Sequence, residues 1–265
     1  PGRPVRFIFY SDPQSNPDRH ALVVASILKD APFDFVIVGG DFSGDSMKFR
    51  NVVDEFFVPA RDLLRQTVLW PVRGNHEGEG TVWQALFRGE GNSYYSFDTG
   101  GLHVVVLDCY DPGSRRNRRG ASMQEMLEWL ERDLSASRAE WTVVAYHEPT
   151  FNVGRGSEWG RQTVLPVLEK HEVDIVIGGH AHLYERIRPI GPAGKKPIIH
   201  IVSGGGGGTS YDTGVSPVLE TCYSGIHHCV FSIEGNRLSM TARTPDGRVL
   251  DEFTLTKTGN RYQPE

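Results

Sequence analysis

The chain has 265 residues, of which 38% are hydrophobic and 23% are charged, and its formal net charge is -5. These values predict a folded chain that buries a large core, and they exclude intrinsic disorder. The acidic balance argues against nucleic-acid binding, and no apolar run approaches the roughly 18 residues that a membrane span needs. No linker-like tract divides the sequence, so we expect residues 1–265 to form a single domain.

The predicted strands and helices alternate along most of the chain. Short apolar runs rich in Val and Ile predict strands at residues 5–10, 35–38, 68–72, 102–107, 141–146, 174–177 and 198–202. Helices are expected between them, at residues 19–29, 47–66, 123–134 and 162–171. Three strand-like runs between residues 228 and 256 predict an antiparallel meander. Nearly continuous apolar strands are typical of sheets covered on both faces, so we expect an α/β fold with two sheets and helices outside.

Polar side chains follow five of these strands, at the point where each strand ends. In chain order they are Asp12 and Gln14, Asp41, Asn75 and His76, His147, and finally His180 and His182. In open α/β sheets, this edge is where ligands bind. Taken singly, each residue is explained as readily by a turn, a helix cap or a surface position. Their recurrence at five strand ends favours one shared site.

The chemistry of these side chains points to metal ions. Carboxylates, amide oxygens and imidazoles suit Fe, Mn, Zn or Mg, and the lack of thiolates argues against a structural zinc site. Six or seven ligands are too many for one tetrahedral ion. They fit two ions that share a carboxylate and lie roughly 3.5–4 Å apart, as in two-metal hydrolases.

The order of the motifs resembles that of calcineurin-like metallophosphoesterases. The five blocks are Asp12-x-Gln14, Gly40-Asp41, Gly74-Asn75-His76-Glu77, His147 and Gly179-His180-Ala181-His182. Residues 179–186 (GHAHLYER), 94–98 (YYSFD) and 202–206 (VSGGG) narrow the resemblance to the catalytic domain of purple acid phosphatases. The resemblance covers residues 5–256. It implies a four-layer α/β/β/α sandwich of two mixed sheets, with helices outside and the metal site at the C-terminal ends of the strands.

The resemblance also implies a role for each motif residue. Asp12, Asp41 and His182 would hold a first metal ion, with Gln14 as a further ligand through its amide oxygen. Asp41, Asn75, His147 and His180 would hold a second ion, so Asp41 would bridge the two. Asn75 and His76 would contact the phosphate, His76 would serve as an acid, and Asp45 would orient His76.

Three positions depart from the family pattern. Gly44 stands where purple acid phosphatases have a tyrosine ligand, which implies no purple charge-transfer band and a less favoured ferric first site. Gln14 stands where ordinary calcineurin-like enzymes have a histidine, so the first site is expected to be looser or to prefer Mn or Mg. Arg155 lies where the family has substrate-binding histidines, and it is either a phosphate contact or a solvated loop residue.

We therefore expect a phosphoester hydrolase in which two metal ions lower the pKa of a bridging water and the resulting hydroxide attacks phosphorus. The resemblance favours small phosphomonoesters, whereas the altered first block leaves phosphodiesters and nucleotides open. The alternative from another class is a non-catalytic phosphate- or metal-binding module with a decayed first site. Oligomeric state is open, and so is the compartment.

Two features bear on the compartment. Relatives are often exported, which favours secretion or the periplasm over the cytoplasm, and a start at Pro1 suggests a trimmed or processed form. Cys222 and Cys229 are close enough in sequence to form a disulfide under oxidising conditions.

Overall fold

The computed structural model describes residues 4–88, 91–110, 123–153, 156–192, 194–258 and 261–264. Its strands are β1 (Val5–Tyr10), β2 (Phe35–Val38), β3 (Val68–Pro71), β4 (Tyr95–Thr99), β5 (Leu102–Val106), β6 (Trp141–Ala145), β7 (Ile175–Gly178), β8 (Tyr184–Ile190), β9 (Ile198–Ser203), β10 (Leu219–Tyr223), β11 (His228–Glu234), β12 (Arg237–Arg243), β13 (Val249–Thr258) and β14 (Arg261–Pro264). Its helices are α1 (Pro17–Lys29), α2 (Phe49–Val52), α3 (Arg61–Leu64), α4 (Thr81–Phe87), α5 (Met123–Ala136) and α6 (Leu165–Lys170).

The strands of the described residues form two mixed sheets of seven strands each. The first has the order β14-β13-β12-β11-β1-β2-β3, and the second has the order β10-β8-β9-β7-β6-β5-β4. In the first sheet β1, β2 and β3 are parallel, and β11 to β14 form the antiparallel meander. In the second sheet β5, β6, β7 and β9 are parallel, and antiparallel β4, β8 and β10 complete it.

Three apolar layers hold the two sheets and the helices together. The central layer lies between the sheets and includes Phe7 and Phe9 of β1 with Trp141 of β6. Ile8 and Tyr10 of β1 face the other way and pack under α1, and a third cluster joins the second sheet to α5 and α6. Apolar residues on both faces of each central strand thus bury both faces. The predicted four-layer α/β/β/α sandwich is confirmed.

Two predicted helices are shorter and more irregular than expected. The segment 47–66 is divided into α2, a π-helical turn at Val53–Phe57 and α3. Pro59 follows this turn and has no N–H to continue the hydrogen-bond ladder, so the regular helix breaks there. The segment 162–171 begins with a π-helical turn at Gly160–Val164 before α6, which carries Pro166 in its first turn. A π turn is a common way for a helix to absorb such an irregularity.

The cysteine pairing suggested by the sequence is wrong. Cys109, Cys222 and Cys229, all within the described residues, are free thiols. Cys222 lies on β10 at an edge of the second sheet, whereas Cys229 lies on β11 inside the first sheet. Closeness in sequence therefore does not bring the two sulfur atoms together. Among the described residues, no helix has both the length and the apolarity that a membrane crossing needs.

Candidate metal centre

The facing C-terminal strand ends of the two sheets bring the predicted metal ligands together. Asp12, Asp41 and Asn75 follow the adjacent parallel strands β1, β2 and β3 of the first sheet. His147 follows β6 and His180 follows β7 of the second sheet, with His182 two residues further on. Because the two sheets pack face to face, carboxylates from one sheet meet imidazoles from the other.

Three of these ligands have an unusual backbone conformation. Asp12, Asp41 and His180 have φ angles of 61°, 56° and 64°, in the left-handed region that non-glycine residues rarely enter. In this conformation the chain turns sharply after each strand. Gly40 is required for close approach, because a Cβ atom there would lie 2.6 Å from His147 Nδ1. Such strain is typical of functional sites.

The expected second metal site brings carboxylate, amide and imidazole atoms close together. His147 Nδ1 donates to the carbonyl oxygen of Gly39 at 2.7 Å, so Nε2 is the ring atom that faces the other candidate ligands. That Nε2 atom lies 3.2 Å from Asp41 Oδ2 and 3.1 Å from Asn75 Oδ1. His180 Nδ1 completes the set, 2.9 Å from Asn75 Oδ1. Oxygen and imidazole atoms that converge in this way can hold a cation between them.

The electrostatics of His147 show that this cluster attracts positive charge. Burial of the ring opposes a positive charge, but the nearby carboxylates of Asp41 and Asp12 outweigh it and raise the pKa of His147 to about 10. Candidate ligand atoms of Asp41, His147 and His180 all lie within 4.8 Å of one another. The donor set of carboxylate, amide oxygen and imidazole therefore fits a divalent or trivalent ion.

The expected first metal site lies on the other side of Asp41. Asp12 Oδ1 is buried without a hydrogen-bond partner among the described residues, and it lies 3.4 Å from His182 Nε2. His182 Nδ1 donates to the Thr209 carbonyl oxygen at 2.8 Å, so its Nε2 is the ring atom that faces the other candidate ligands. Gln14 differs from these ligands, because its Nε2 amide donates towards His182 Nε2 at 3.1 Å and Asp41 Oδ2 at 3.3 Å.

His76 lies at the mouth of this arrangement. Its Nδ1 donates to the carbonyl oxygen of Gly44 at 2.7 Å, and its Nε2 lies 3.9 Å from Asp41 Oδ2. The side chain is 35% exposed, so it faces both the ligand cluster and solvent. The Gly44 carbonyl contacts the ring directly, and the Asp45 carboxylate pairs with Lys48 at 2.8 Å. An orienting role of Asp45 for His76 stays a prediction.

Gly44 and Arg155 are the two other positions that depart from the family pattern. A Cβ atom at Gly44 would lie 2.7 Å from Ser15 Oγ, so a larger residue there would require the Ser15 side chain to move. The missing tyrosine thus agrees with the local packing. Arg155, the candidate phosphate contact, lies outside the described residues.

Sequence reasoning missed two residues of the site. The first is Glu77, which belongs to a recognised motif. The sequence did not reveal that its carboxylate accepts hydrogen bonds from three backbone N–H groups of the loops that carry the predicted ligands. Its Oε2 accepts from Gly74 at 2.6 Å and from Asp41 at 3.0 Å, and its Oε1 accepts from Phe42 at 2.9 Å. Tyr110 donates from its hydroxyl group to Asn75 Oδ1 at 3.4 Å. Its position just after β5, like that of the ligands after other strands, was the available signal.

A buried ion pair ties the two sheets together beneath the ligand loops. Arg73, directly before Gly74, donates from Nη1 to Asp108 Oδ2 at 2.9 Å, and the two side chains are 1% and 2% exposed. Arg73 follows β3 of the first sheet, and Asp108 follows β5 of the second. The pair therefore fixes the spacing between the two halves of the site.

Comparison with known proteins gives concordant matches. Residues 5–184 match the model of the family described as calcineurin-like phosphoesterase. Purple acid phosphatase 21 of Arabidopsis thaliana is 33% identical over 206 residues, which cover 68% of this chain and 45% of that protein. An uncharacterized protein of Mycobacterium tuberculosis is 31% identical over 275 residues, covering 77% of this chain and 51% of that protein.

The fold is similar to that of a purple acid phosphatase from yellow lupin (Lupinus luteus) seeds, PPD1. The two structures superpose with a TM-score of 0.81 at 19% identity, over 98% of this chain and 54% of that chain. The chain thus spans about half the length of the curated relatives it matches. The expectation of a single domain over residues 1–265 stays a prediction.

Proposed function

Because the chain belongs to the calcineurin-like phosphoesterase family, we propose that it is a phosphoester hydrolase that uses two metal ions. The observation that carries the proposal is the convergence of three candidate ligand atoms: His147 Nε2 lies 3.2 Å from Asp41 Oδ2 and 3.1 Å from Asn75 Oδ1. The unpartnered Oδ1 atom of Asp12 extends this cluster towards His182. Asp41 lies between the two groups and is the proposed shared ligand.

The chemistry of the proposed reaction is divided between the metals and the protein. Two bound ions, drawn from Fe, Mn, Zn or Mg, would supply a water of lowered pKa as the nucleophile and neutralise charge on the phosphoryl group. Asn75 and His76 would orient that group from the open side of the site. Asp12, Asp41 and the three ligand histidines would fix the positions of the ions, and no covalent protein intermediate is needed.

His76 is the proposed acid for the leaving alkoxide. Its Nδ1 donates to the Gly44 carbonyl oxygen, so Nε2 can also donate only when the ring is doubly protonated. The partial exposure of the side chain allows the imidazolium to be hydrated before the substrate binds. In this form Nε2 would both attract the phosphoryl oxygens and protonate the departing oxygen.

We propose small phosphomonoesters as the substrates. The support is the similarity to proteins named purple acid phosphatases, with 33% identity to one from Arabidopsis thaliana. Phosphodiesters and nucleotides use the same chemistry on the same kind of site, so they are the alternatives that the assay has to distinguish.

A non-catalytic metal-binding module is the second candidate. The observation in its favour is the amide of Gln14, which donates to His182 and Asp41 where a metal ligand is expected. In this interpretation the first site has lost its ion and with it the hydrolytic reaction.

The test combines hydrolysis with metal analysis on one sample. Purified protein, stripped with a chelator and then supplied with Mn, Zn, Fe or Mg, is assayed on an aryl phosphate and on a bis-aryl phosphate, and bound metal is measured by elemental analysis. We expect metal-dependent hydrolysis with nearly two ions per chain, and faster turnover of the monoester. Faster turnover of the diester would reassign the substrate class. No hydrolysis, with one ion or fewer bound, would favour the binding module.

A further inference from the structure

We propose that Glu55 is a positioning residue for His76, and the inference rests on the proposed function, in which His76 is the acid. Glu55 lies in the π-helical turn at Val53–Phe57, outside the motifs that carry the predicted ligands. Its Oε2 atom accepts hydrogen bonds from two backbone N–H groups, that of Ser15 at 2.5 Å and that of Gly44 at 2.8 Å. One carboxylate therefore joins the loop that follows β1 to the loop that follows β2.

The backbone of Glu55 is held in place by an imidazole. In a regular α-helix the Glu55 carbonyl oxygen would accept from residue 59, but Pro59 has no N–H group. The fully buried ring of His20 donates to this oxygen instead, from Nδ1 at 2.9 Å. The Nε2 atom of His20 lies 3.1 Å from the hydroxyl group of Tyr10 on β1. The π-helical turn is thus anchored to the first sheet, and the Glu55 side chain extends from a fixed position.

Gly44 connects this anchor to the His76 ring. Its N–H group donates to Glu55, and its carbonyl oxygen accepts from His76 Nδ1 at 2.7 Å. Two residues further on, the Ser46 N–H group donates to the His76 carbonyl oxygen at 3.1 Å. The loop that Glu55 holds therefore contacts both the ring and the main chain of His76. Because Nδ1 is committed to Gly44, the position of that carbonyl group sets the direction of Nε2.

The conformation of Ser15 shows why a charged acceptor is useful here. Ser15 has a φ angle of 66°, in the left-handed region that non-glycine residues rarely enter. A hydrogen bond to a carboxylate is stronger than one to a neutral acceptor, so it offsets part of the cost of this conformation. A Cβ atom at Gly44 would lie 2.7 Å from Ser15 Oγ, so the two loops approach closely where Glu55 holds both.

A positioning role and a merely structural role differ in their dependence on the leaving group. Protonation by His76 matters most when the departing alkoxide is strongly basic, as in an alkyl phosphate. A nitrophenolate leaves without needing a proton. Loss of Glu55 should therefore slow the hydrolysis of an alkyl phosphate more than that of nitrophenyl phosphate. The ratio of the two rates cancels differences in the folded or metal-loaded fraction, so a purely structural role would leave it unchanged.

The experiment measures kcat on glycerol phosphate and on nitrophenyl phosphate for variants of the metal-loaded full chain. Glu55→Ala removes both hydrogen bonds and should slow glycerol phosphate hydrolysis by roughly tenfold or more, but nitrophenyl phosphate hydrolysis by about threefold or less. Glu55→Gln keeps an amide oxygen for the two N–H groups and should restore most of the rate. Glu55→Asp keeps the charge but is one carbon shorter, so it should resemble Glu55→Ala and replaces that variant if alanine prevents folding. In a His76→Ala background, Glu55→Ala should no longer change the ratio.

A second measurement does not depend on the reaction. Amide hydrogen exchange of Ser15 and Gly44, followed by NMR in the metal-free chain, should accelerate by roughly ten- to a hundredfold in Glu55→Ala, as expected for the loss of a hydrogen bond to a charged group. Asp54→Ala changes the adjacent exposed residue, which pairs with Arg50, and should alter neither exchange nor the ratio of rates.

The outcomes separate the inference from the proposed function. Equal slowing on the two phosphates, or unchanged exchange of both amides in Glu55→Ala, would overturn the positioning role while the unmodified chain remains a hydrolase. If the unmodified chain hydrolyses neither phosphate with any of the metals, the proposed function fails and the positioning role fails with it, even where the exchange rates confirm the two hydrogen bonds.

Discussion

The Glu77 carboxylate accepts a hydrogen bond from the backbone N–H of Asp41, 36 positions earlier in the sequence, at 3.0 Å. The same oxygen accepts from Gly74, and the other oxygen accepts from Phe42. One buried side chain therefore holds the turn that presents the proposed bridging ligand and the turn that presents Asn75. Glu77 has no place in the ligand cluster itself, so we assign it a positioning role.

Replacement of Glu77 by glutamine should weaken metal binding without removing a ligand. The amide keeps one oxygen but turns an NH₂ group towards backbone donors, which leaves buried N–H groups unsatisfied at a cost of about 1–3 kcal/mol. We expect a lower midpoint of chemical unfolding and a weaker affinity for both ions, measured by urea denaturation and by Mn²⁺ dialysis. Glu79→Gln, at a nearby exposed position, is the matched control. Unchanged metal affinity in Glu77→Gln would remove its positioning role.

Truncation of His76 to alanine should separate turnover from metal content. The ring contacts Gly44 and faces Asp41 Oδ2 at 3.9 Å, but it is not among the proposed ligands. We expect kcat to fall by roughly 10²–10⁴-fold, the usual contribution of a positioned acid, while elemental analysis finds nearly normal metal. His171→Ala, which removes a ring that pairs with Glu131 away from the site, should retain full turnover. Equal kcat in the two variants would exclude His76 as the acid.

The sequence was most informative where an apolar strand pattern is followed directly by side chains that can bind metal. Apolar runs predicted β1 and β2 to the residue, because strands that are buried on both faces leave a continuous signal. The positions of the proposed ligands were equally visible, since Asp12, Asp41 and His147 closely follow such runs. The carboxylate and the imidazole of Asp41 and His147 indeed lie 3.2 Å apart.

What the sequence could not predict depends on contacts between distant segments. The hydrophobic alternation of β8 and β10 is weak, and these strands are stabilised by pairing with their neighbours. The sequence pattern therefore did not predict them. The helix predicted at 47–66 is not continuous. Pro59 interrupts the backbone hydrogen bonds of the helix, and this effect outweighs the apolar periodicity on which the prediction was based. Motif spacing also does not reveal that a backbone carbonyl, from Gly44, holds the His76 ring.

Substitution of Asp41 by asparagine should release both metal ions together. Its Oδ2 atom lies 3.2 Å from His147 Nε2 in the second site and 3.3 Å from Gln14 Nε2 in the first. Loss of its charge removes the carboxylate that both sites share, so bound metal should fall well below one ion per chain and hydrolysis should disappear. Asp54→Asn, at an exposed surface pair, should bind metal normally. Retention of one tightly bound ion in Asp41→Asn would show that Asp41 does not bridge.

The buried Arg73–Asp108 pair should contribute strongly to stability. Asp108→Asn removes the negative charge that Asp108 places against the enclosed Arg73 guanidinium, and breaking a buried pair in this way costs about 3–5 kcal/mol. Asp62→Asn breaks exposed contacts to Arg61 and Arg65, which are worth about 0–1 kcal/mol. Urea unfolding of the metal-free proteins measures both changes. A similar small loss in the two variants would mean that the pair is not needed to hold the sheets together.

His103 should make stability depend on pH at the end of the sandwich opposite the metal ligands. Burial of the ring lowers its pKa, but hydrogen bonds to Asp133 and Asp98 outweigh burial, so the pKa is raised above the ordinary 6.5. A raised folded-state pKa means that the stabilisation is complete below the ordinary value and is lost as pH rises through the folded-state value. The free energy of unfolding of the metal-free chain, minus that of His103→Gln, should therefore be largest near pH 6 and should shrink towards pH 9.

His171 is a control whose effect on stability has the opposite pH dependence. Burial and Lys170 lower its pKa, so its protonation destabilises the folded chain as pH falls. The difference between the unmodified chain and His171→Gln should thus grow with pH, and parallel pH profiles for the two variants would refute the assignment of His103 as the group responsible.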